Sequence, residues 1–78
     1  MTDIKLSKQV LTKGFKFLDE LRTSGFLNMY GARLYIMDEF PDLSRQEAAN
    51  LLTLWMATFS EEPGVTMTFR VEDALKRQ

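Results

Sequence analysis

Three segments within the first 60 residues repeat their apolar side chains with the period of an α-helix. In residues 7–24 the apolar side chains recur every three or four residues, and polar side chains lie opposite. The main positions on the apolar face are Leu11, Phe15 and Leu18. Ser7 is a suitable N-cap, and Gly25 suits the left-handed residue that commonly follows a helix. Gly14 lies beside the apolar face, which indicates close contact with another helix.

The second and third helices have clear end signals. Residues 29–40 predict the second helix, with Asn28 as its N-cap. Pro41 ends this helix, because the residue before a proline disfavours helical backbone. Ser44 and Glu47 have the spacing of a capping box, in which each side chain accepts a hydrogen bond from an otherwise unpaired backbone amide. The third helix is predicted to begin at this box.

The periodicity changes after the third helix, which is predicted to end near Phe59. Residues 61–64, EEPG, are typical of a turn. Residues 65–71, VTMTFRV, then alternate apolar and polar side chains, as a half-buried strand does. Such a strand needs a partner, either a short N-terminal strand over residues 2–6 or its own copy in a second chain. We therefore expect one mainly α domain, residues 1–78, with three helices and a short C-terminal strand.

The amino-acid composition limits the catalytic and metal-binding chemistry that this protein can perform. The chain has no histidine and no cysteine, which removes the usual general base near neutral pH, thiolate ligands and disulfides. No nucleophile elbow, glycine-rich phosphate loop or metal-ligand spacing is present. The sequence therefore predicts that the protein is not an enzyme and uses no catalytic residues, cofactor or metal.

The sequence also bears on location. The N-terminus lacks the apolar block of a signal peptide. The longest apolar run, LLTLWMATF, is far shorter than the roughly 20 residues that span a bilayer. We expect a cytoplasmic protein with no membrane partner.

The polar start of the third helix allows a DNA-binding interpretation. Arg45, Gln46 and Asn50 are residue types that bind guanine or adenine in the major groove. Two helices joined by a short turn also resemble a helix-turn-helix unit. However, residues 26–64 carry two arginines and six acidic residues, a net charge of −4, whereas phosphate binding favours positive charge. DNA binding is therefore the alternative hypothesis.

Lysines mark the polar side of the first helix. This side carries Lys8, Lys13 and Lys16, and the acidic residues Asp19 and Glu20 lie close by. It is therefore interpreted as a solvated face. Binding of nucleic acid or of an acidic partner is the alternative.

The third helix has more apolar residues than one small core needs. It is therefore either wrapped on nearly all sides or shares apolar surface with another molecule. Leu54 and Trp55 are the predicted interface anchors, because aromatic residues are frequent in interface hot spots. Tyr30 and Tyr35 are either binding residues or core residues with hydrated hydroxyls. Phe69 is the predicted strand contact in a homodimer.

The stretch NMYGARLYIMDEF, followed by EAANLLTLWM, resembles short helical proteins of tailed phages and prophages. The resemblance covers about residues 17–57, excludes the terminal segments and carries no catalytic residues. It implies a small protein that binds a host or phage protein and alters its behaviour. We therefore expect a non-catalytic protein-interaction module that forms a homodimer in the host cytoplasm and acts by surface occlusion or bridging.

Overall fold

A computed structural model describes residues 5–25 and 31–78. These residues form four α-helices and no strand: α1 (Lys8–Thr23), α2 (Ala32–Glu39), α3 (Arg45–Thr58) and α4 (Met67–Arg77). The predicted mainly α class is confirmed. No helix in the described ranges is long and apolar enough to cross a membrane.

Serine side chains begin α1 and α3, as predicted. The Ser7 hydroxyl accepts a hydrogen bond from the Val10 amide at 3.2 Å. The Ser44 hydroxyl accepts from the Glu47 amide at 3.1 Å, and the Glu47 carboxylate accepts from the Ser44 amide at 2.9 Å, which completes the capping box. Gly25 follows α1 with a φ of +103°, the left-handed conformation that favours glycine. These ends depend on local hydrogen bonds and conformation, so the sequence was enough to place them.

Helix α2 is shorter than predicted over the residues that the structure describes. It spans Ala32–Glu39, and the amide of the next residue, Phe40, donates to the Ile36 carbonyl oxygen at 2.8 Å. The helix ends before Pro41, as expected from the restricted backbone before a proline. The predicted N-cap, Asn28, lies outside the described residues.

The strand predicted over residues 65–71 is wrong, because these residues lead into α4 and form its first half. The Thr66 hydroxyl caps this helix by accepting from the Phe69 amide at 3.1 Å. The positions of α4 that face the core have helical spacing: Met67, Arg70, Val71 and Ala74. The alternation of apolar and polar residues predicted a strand with Arg70 on its solvent face. Arg70 is instead buried, and the segment has the period of a helix. Strand pairing between two chains through this segment is therefore excluded in this fold.

The segment before α1 is held by a side chain. Of the predicted N-terminal strand over residues 2–6, only Lys5 and Leu6 are described, and neither lies in a strand. Leu6 is buried, and its amide donates to Gln78 Oε1 at 2.7 Å. Gln78 Nε2 donates in return to the Leu6 carbonyl oxygen at 3.0 Å. These two bonds join the start of α1 to the end of α4.

Helix α3 lies at the centre of the fold. It packs against α1, α2 and α4, and α1 also packs against α4. Three neighbours therefore cover α3, which accounts for its apolar excess without a second molecule. The buried apolar core consists of Leu6, Leu11, Phe15, Leu18, Ala32, Ile36, Ala48, Leu51, Leu52, Trp55, Val71 and Ala74.

Helix α1 approaches α3 closely at Gly14. A Cβ atom at this position would lie 2.8 Å from Leu51 Cδ1 and closer still to Leu51 Cδ2. Leu51 is fully buried, so it has little room to move away. The close helix contact predicted from Gly14 is confirmed.

Candidate interaction surfaces

A buried ion pair joins α1 to α4. Arg70 Nη1 donates to Asp19 Oδ2 at 2.8 Å, and Arg70 Nη2 donates to Asp19 Oδ1 at 3.0 Å. The Arg70 side chain is 5% exposed and the Asp19 side chain 31%. Two parallel bonds between a guanidinium and a carboxylate are the strong, oriented form of this interaction. The pair therefore fixes the position of α4 along α1.

Aromatic side chains of α1 and α3 complete this cluster. Trp55 Nε1 donates to Asp19 Oδ1 at 2.8 Å. The Arg70 guanidinium lies over the rings of Phe15 and Phe59, 5.5 and 5.3 Å from their centroids. Both carboxylate oxygens of Asp19 and both terminal nitrogens of Arg70 are thus occupied within the chain. The cluster holds three helices together, and its charged groups are already paired with each other.

Trp55, predicted as an interface anchor, lies inside the single chain and not at its surface. Its side chain is 3% exposed and packs against Phe59, with the ring centroids 4.8 Å apart. Sequence reasoning placed it at an interface because Asp19 had not been recognised as its hydrogen-bond partner. Leu54 is half-buried and packs against the core, so little of it is available to a partner. The helical spacing of Arg70 with Val71 and Ala74 was a signal that Arg70 faces the core, but it does not identify Asp19 as the partner of Arg70.

The other predicted interaction residues lie on different helices. Tyr35, on α2, is 50% exposed, and Phe69, on α4, is 59% exposed. The structure therefore presents both at the surface but does not support the strand contact predicted for Phe69. Tyr30 lies outside the described residues.

The outer side of α2 exposes two large side chains that are neighbours in the sequence, Leu34 and Tyr35. Leu34 is 64% exposed, the largest value for a large apolar side chain in this part of the protein, and Tyr35 is its neighbour. Ala32 and Ile36 of the same helix are fully buried. Leu34 lies two residues from each of them, which turns it about 160° away from the core. Leu34 and Tyr35 together are called the α2 face below.

The predicted DNA-contacting residues lie near the start of α3. Arg45 and Gln46 are exposed, and Asn50 is half-buried. Gln46 Nε2 donates to Asn50 Oδ1 at 3.0 Å, so part of the hydrogen-bonding capacity of these two amides is used between them. Arg45 is the only basic residue of α3.

A groove separates α1 from the end of α2 and the turn that follows it. Its two adjoining depressions have volumes of about 330 and 250 Å³ and share Lys13, Glu39 and Phe40. Among its lining residues, the rings of Phe17 and Phe40 meet edge to face with centroids 5.8 Å apart. We call this depression the α1–α2 groove. Sequence reasoning missed it because its two sides come from segments about twenty residues apart in the chain.

Opposite charges line the two sides of the α1–α2 groove. Lys13 and Lys16 stand on the α1 side, and Glu39 and Asp42 on the α2 side. In the described parts of the chain, none of these four lies within 4.0 Å of an opposite charge. The groove therefore exposes separated, unpaired charges together with apolar lining residues.

The described residues contain no group of three or more acidic side chains that could hold a metal ion. Comparisons with family models, curated proteins and solved structures find no match to this chain. The candidate interaction surfaces in the described residues are therefore the α2 face and the α1–α2 groove.

Proposed function

We propose that this protein is a non-catalytic interaction module that binds another protein through the α2 face. The observation that carries this proposal is the exposure of Leu34, at 64%, beside a second large side chain, Tyr35. An exposed apolar surface loses contact with water when a partner covers it, which favours binding. Tyrosine is also enriched in protein interfaces.

The shape of the α2 face suggests how the contact works. Leu34 projects outward from a helix whose Ala32 and Ile36 are anchored in the core. A projecting side chain on a fixed helix fits into an apolar groove or pocket on the other protein. Binding would then occlude part of the partner's surface or bridge it to another molecule. The resemblance to phage and prophage proteins remains a prediction and suggests a host or phage protein as the partner.

The DNA-binding alternative has less support. Arg45 is the only cation on α3, and Gln46 is already bonded to Asn50. Glu39 and Asp42 lie close by in the sequence, just before α3. Affinity for DNA comes largely from cations that contact phosphates, and this part of the chain is acidic.

The test is affinity capture from the native cytoplasm with three forms of the tagged protein. The forms are wild type, Leu34→Lys and the matched control Phe69→Lys, which changes a similarly exposed apolar side chain on another helix. We expect a protein that is retained by wild type and by Phe69→Lys but lost by Leu34→Lys. Circular dichroism checks that all three forms fold.

Three results would contradict the proposal. If no protein is retained specifically by any form, the module does not bind a protein. If Leu34→Lys retains the same partner as wild type, the α2 face is not the contact. Sequence-independent retention of nucleic acid at low salt, lost in Arg45→Ala, would favour the DNA-binding alternative instead.

A further inference from the structure

We infer that the α1–α2 groove is the contact between two copies of this chain. The contact would be isologous, with the groove of each copy facing the groove of the other. It is separate from the α2 face, so that self-association and the binding of a different protein can each fail without the other.

The charges of the groove are self-complementary, because one side is positive and the other negative. Lys13 and Lys16 lie along α1, while Glu39 and Asp42 lie on the opposite side. In an isologous pair related by a twofold axis, any residue i that contacts residue j is matched by j contacting i. A twofold axis that runs along the groove, between its two charged sides, places the lysines of one copy against the carboxylates of the other, twice. Glu20, one turn after Lys16, is the exception to this separation of charge.

These pairings are not made within one chain. Lys13 and Glu39 line both depressions of the groove, yet the described residues contain no ion pair between them. A second copy can supply the missing opposite charges without any change in the helices. Self-pairing thus uses charges that a single copy leaves exposed to water.

The groove also offers apolar area that a second copy can bury. Val10, Phe17, Phe40 and Leu43 line the groove and are only partly buried. Interfaces commonly have an apolar centre with a polar rim. The aromatic pair Phe17–Phe40 is already formed, so this part of the contact needs little reorganisation.

The self-complementary charge pattern is what selects a second copy over an unrelated peptide. An acidic partner would meet Glu39 and Asp42, and a basic partner would meet Lys13 and Lys16. Like charges placed face to face across an interface are strongly unfavourable. A complementary partner therefore carries positive and negative charges on two separate sides, and another copy of the chain does so by symmetry.

The test exchanges the charges of each side separately. The first variant is Lys13→Glu with Lys16→Glu, and the second is Glu39→Lys with Asp42→Lys. Wild type should form a dimer in sedimentation equilibrium. In each variant alone the dimer dissociation constant should rise about a hundredfold, because like charges now face each other.

Mixing the two variants is the decisive measurement. Equal amounts should form a mixed dimer in native mass spectrometry, because opposite charges again face each other. A chain with all four substitutions should likewise dimerise with itself. Lys8→Glu with Lys76→Glu is the matched control: it reverses two exposed lysines outside the groove, and its dimer should be unchanged.

Several results would overturn this inference. A wild type that stays monomeric at high concentration excludes self-association, and the partner capture by the α2 face is unaffected by that outcome. A dimer that persists in both charge variants uses another surface. If the variants fold but their mixture remains monomeric, the charges of the two sides do not meet across the contact.

Discussion

Helix α1 faces oppositely charged side chains toward α4 and toward α2, but of these two sides only the one toward α4 forms an ion pair among the described residues. Toward α4, Asp19 and Arg70 form two hydrogen bonds in a contact that leaves the arginine 5% exposed. Toward α2, Lys13 and Glu39 line a groove without forming an ion pair in the described residues. The same helix therefore carries a paired charged contact toward α4 and an unpaired charged surface toward α2.

The difference follows from what covers each side. Helix α4 lies directly against α1, and the cost of removing Arg70 from water is offset by the carboxylate and by aromatic rings. Between α1 and the end of α2 the chain leaves an open depression. Charged side chains there stay hydrated and available, so the first contact acts on stability and the second on association.

The largest effect is expected on the covered side. Asp19→Ala leaves the Arg70 charge buried without a counterion and removes the acceptor of Trp55 Nε1. Loss of one partner of a buried pair should lower the free energy of unfolding by about 3–5 kcal/mol. Urea unfolding followed by far-ultraviolet circular dichroism measures this change.

Arg70→Met is the matched change on the other partner. Methionine fills part of the same space, and Asp19, with its side chain 31% exposed, can still reach water. We expect a smaller loss, about 1–2 kcal/mol in the free energy of unfolding. A loss equal to or larger than that of Asp19→Ala would show that the uncompensated arginine is not the dominant cost.

A smaller effect is expected where α1 crosses α3. In Gly14→Ala, overpacking against Leu51 should cost about 1–3 kcal/mol, against a gain in helix propensity of about 1 kcal/mol, so the variant should be less stable by up to about 2 kcal/mol. Thermal and urea unfolding measure the difference.

The background of Leu51→Ala should reverse the sign of the Gly14→Ala effect, because the atoms that the new Cβ meets are removed. Gly31→Ala is the control, since a Cβ there meets nothing within 4 Å. If Gly14→Ala remains destabilising with Leu51→Ala, the close contact between α1 and α3 is not its cause.

The smallest effect is expected on the open side. Lys13→Gln and Glu39→Gln, measured at protein concentrations where the chain is monomeric, should each change the free energy of unfolding by less than about 0.5 kcal/mol. Neither side chain has an ion-pair partner to lose in the described residues. A loss above about 1 kcal/mol in either variant would mean that these charges already stabilise the single chain, and the two sides of α1 would no longer differ in kind.

Local signals were sufficient for much of the helix pattern. Ser7, Ser44 with Glu47, and Gly25 each act within a few residues of their own position, and each was located correctly from the sequence. The end of α2 before Pro41 was also correct. Such signals are reliable because their hydrogen bonds and backbone conformations need no distant partner.

The sequence was not sufficient to place residues whose environment depends on distant helices. The sequence after residue 64 is compatible with the period of a strand and with that of a helix. The strand requires Arg70 to face solvent, and the helix requires it to face the core. Its burial depends on Asp19, 51 positions earlier in the chain. Trp55 was placed at an interface for the same reason, because its partner Asp19 is 36 positions away. Neither pairing has a signature within a single helix.

The sequence by itself determined that the chain is mainly helical, where α1 and α3 begin, and that Gly14 marks a close contact, because capping groups and apolar periodicity act over one or two turns. Only the tertiary structure decided that a fourth helix replaces the strand, that Trp55 is internal, and which charges of α1 are paired. These outcomes depend on which helix lies beside which. A buried arginine is stable only when a carboxylate from another helix reaches it, and a lysine stays free when no helix covers it.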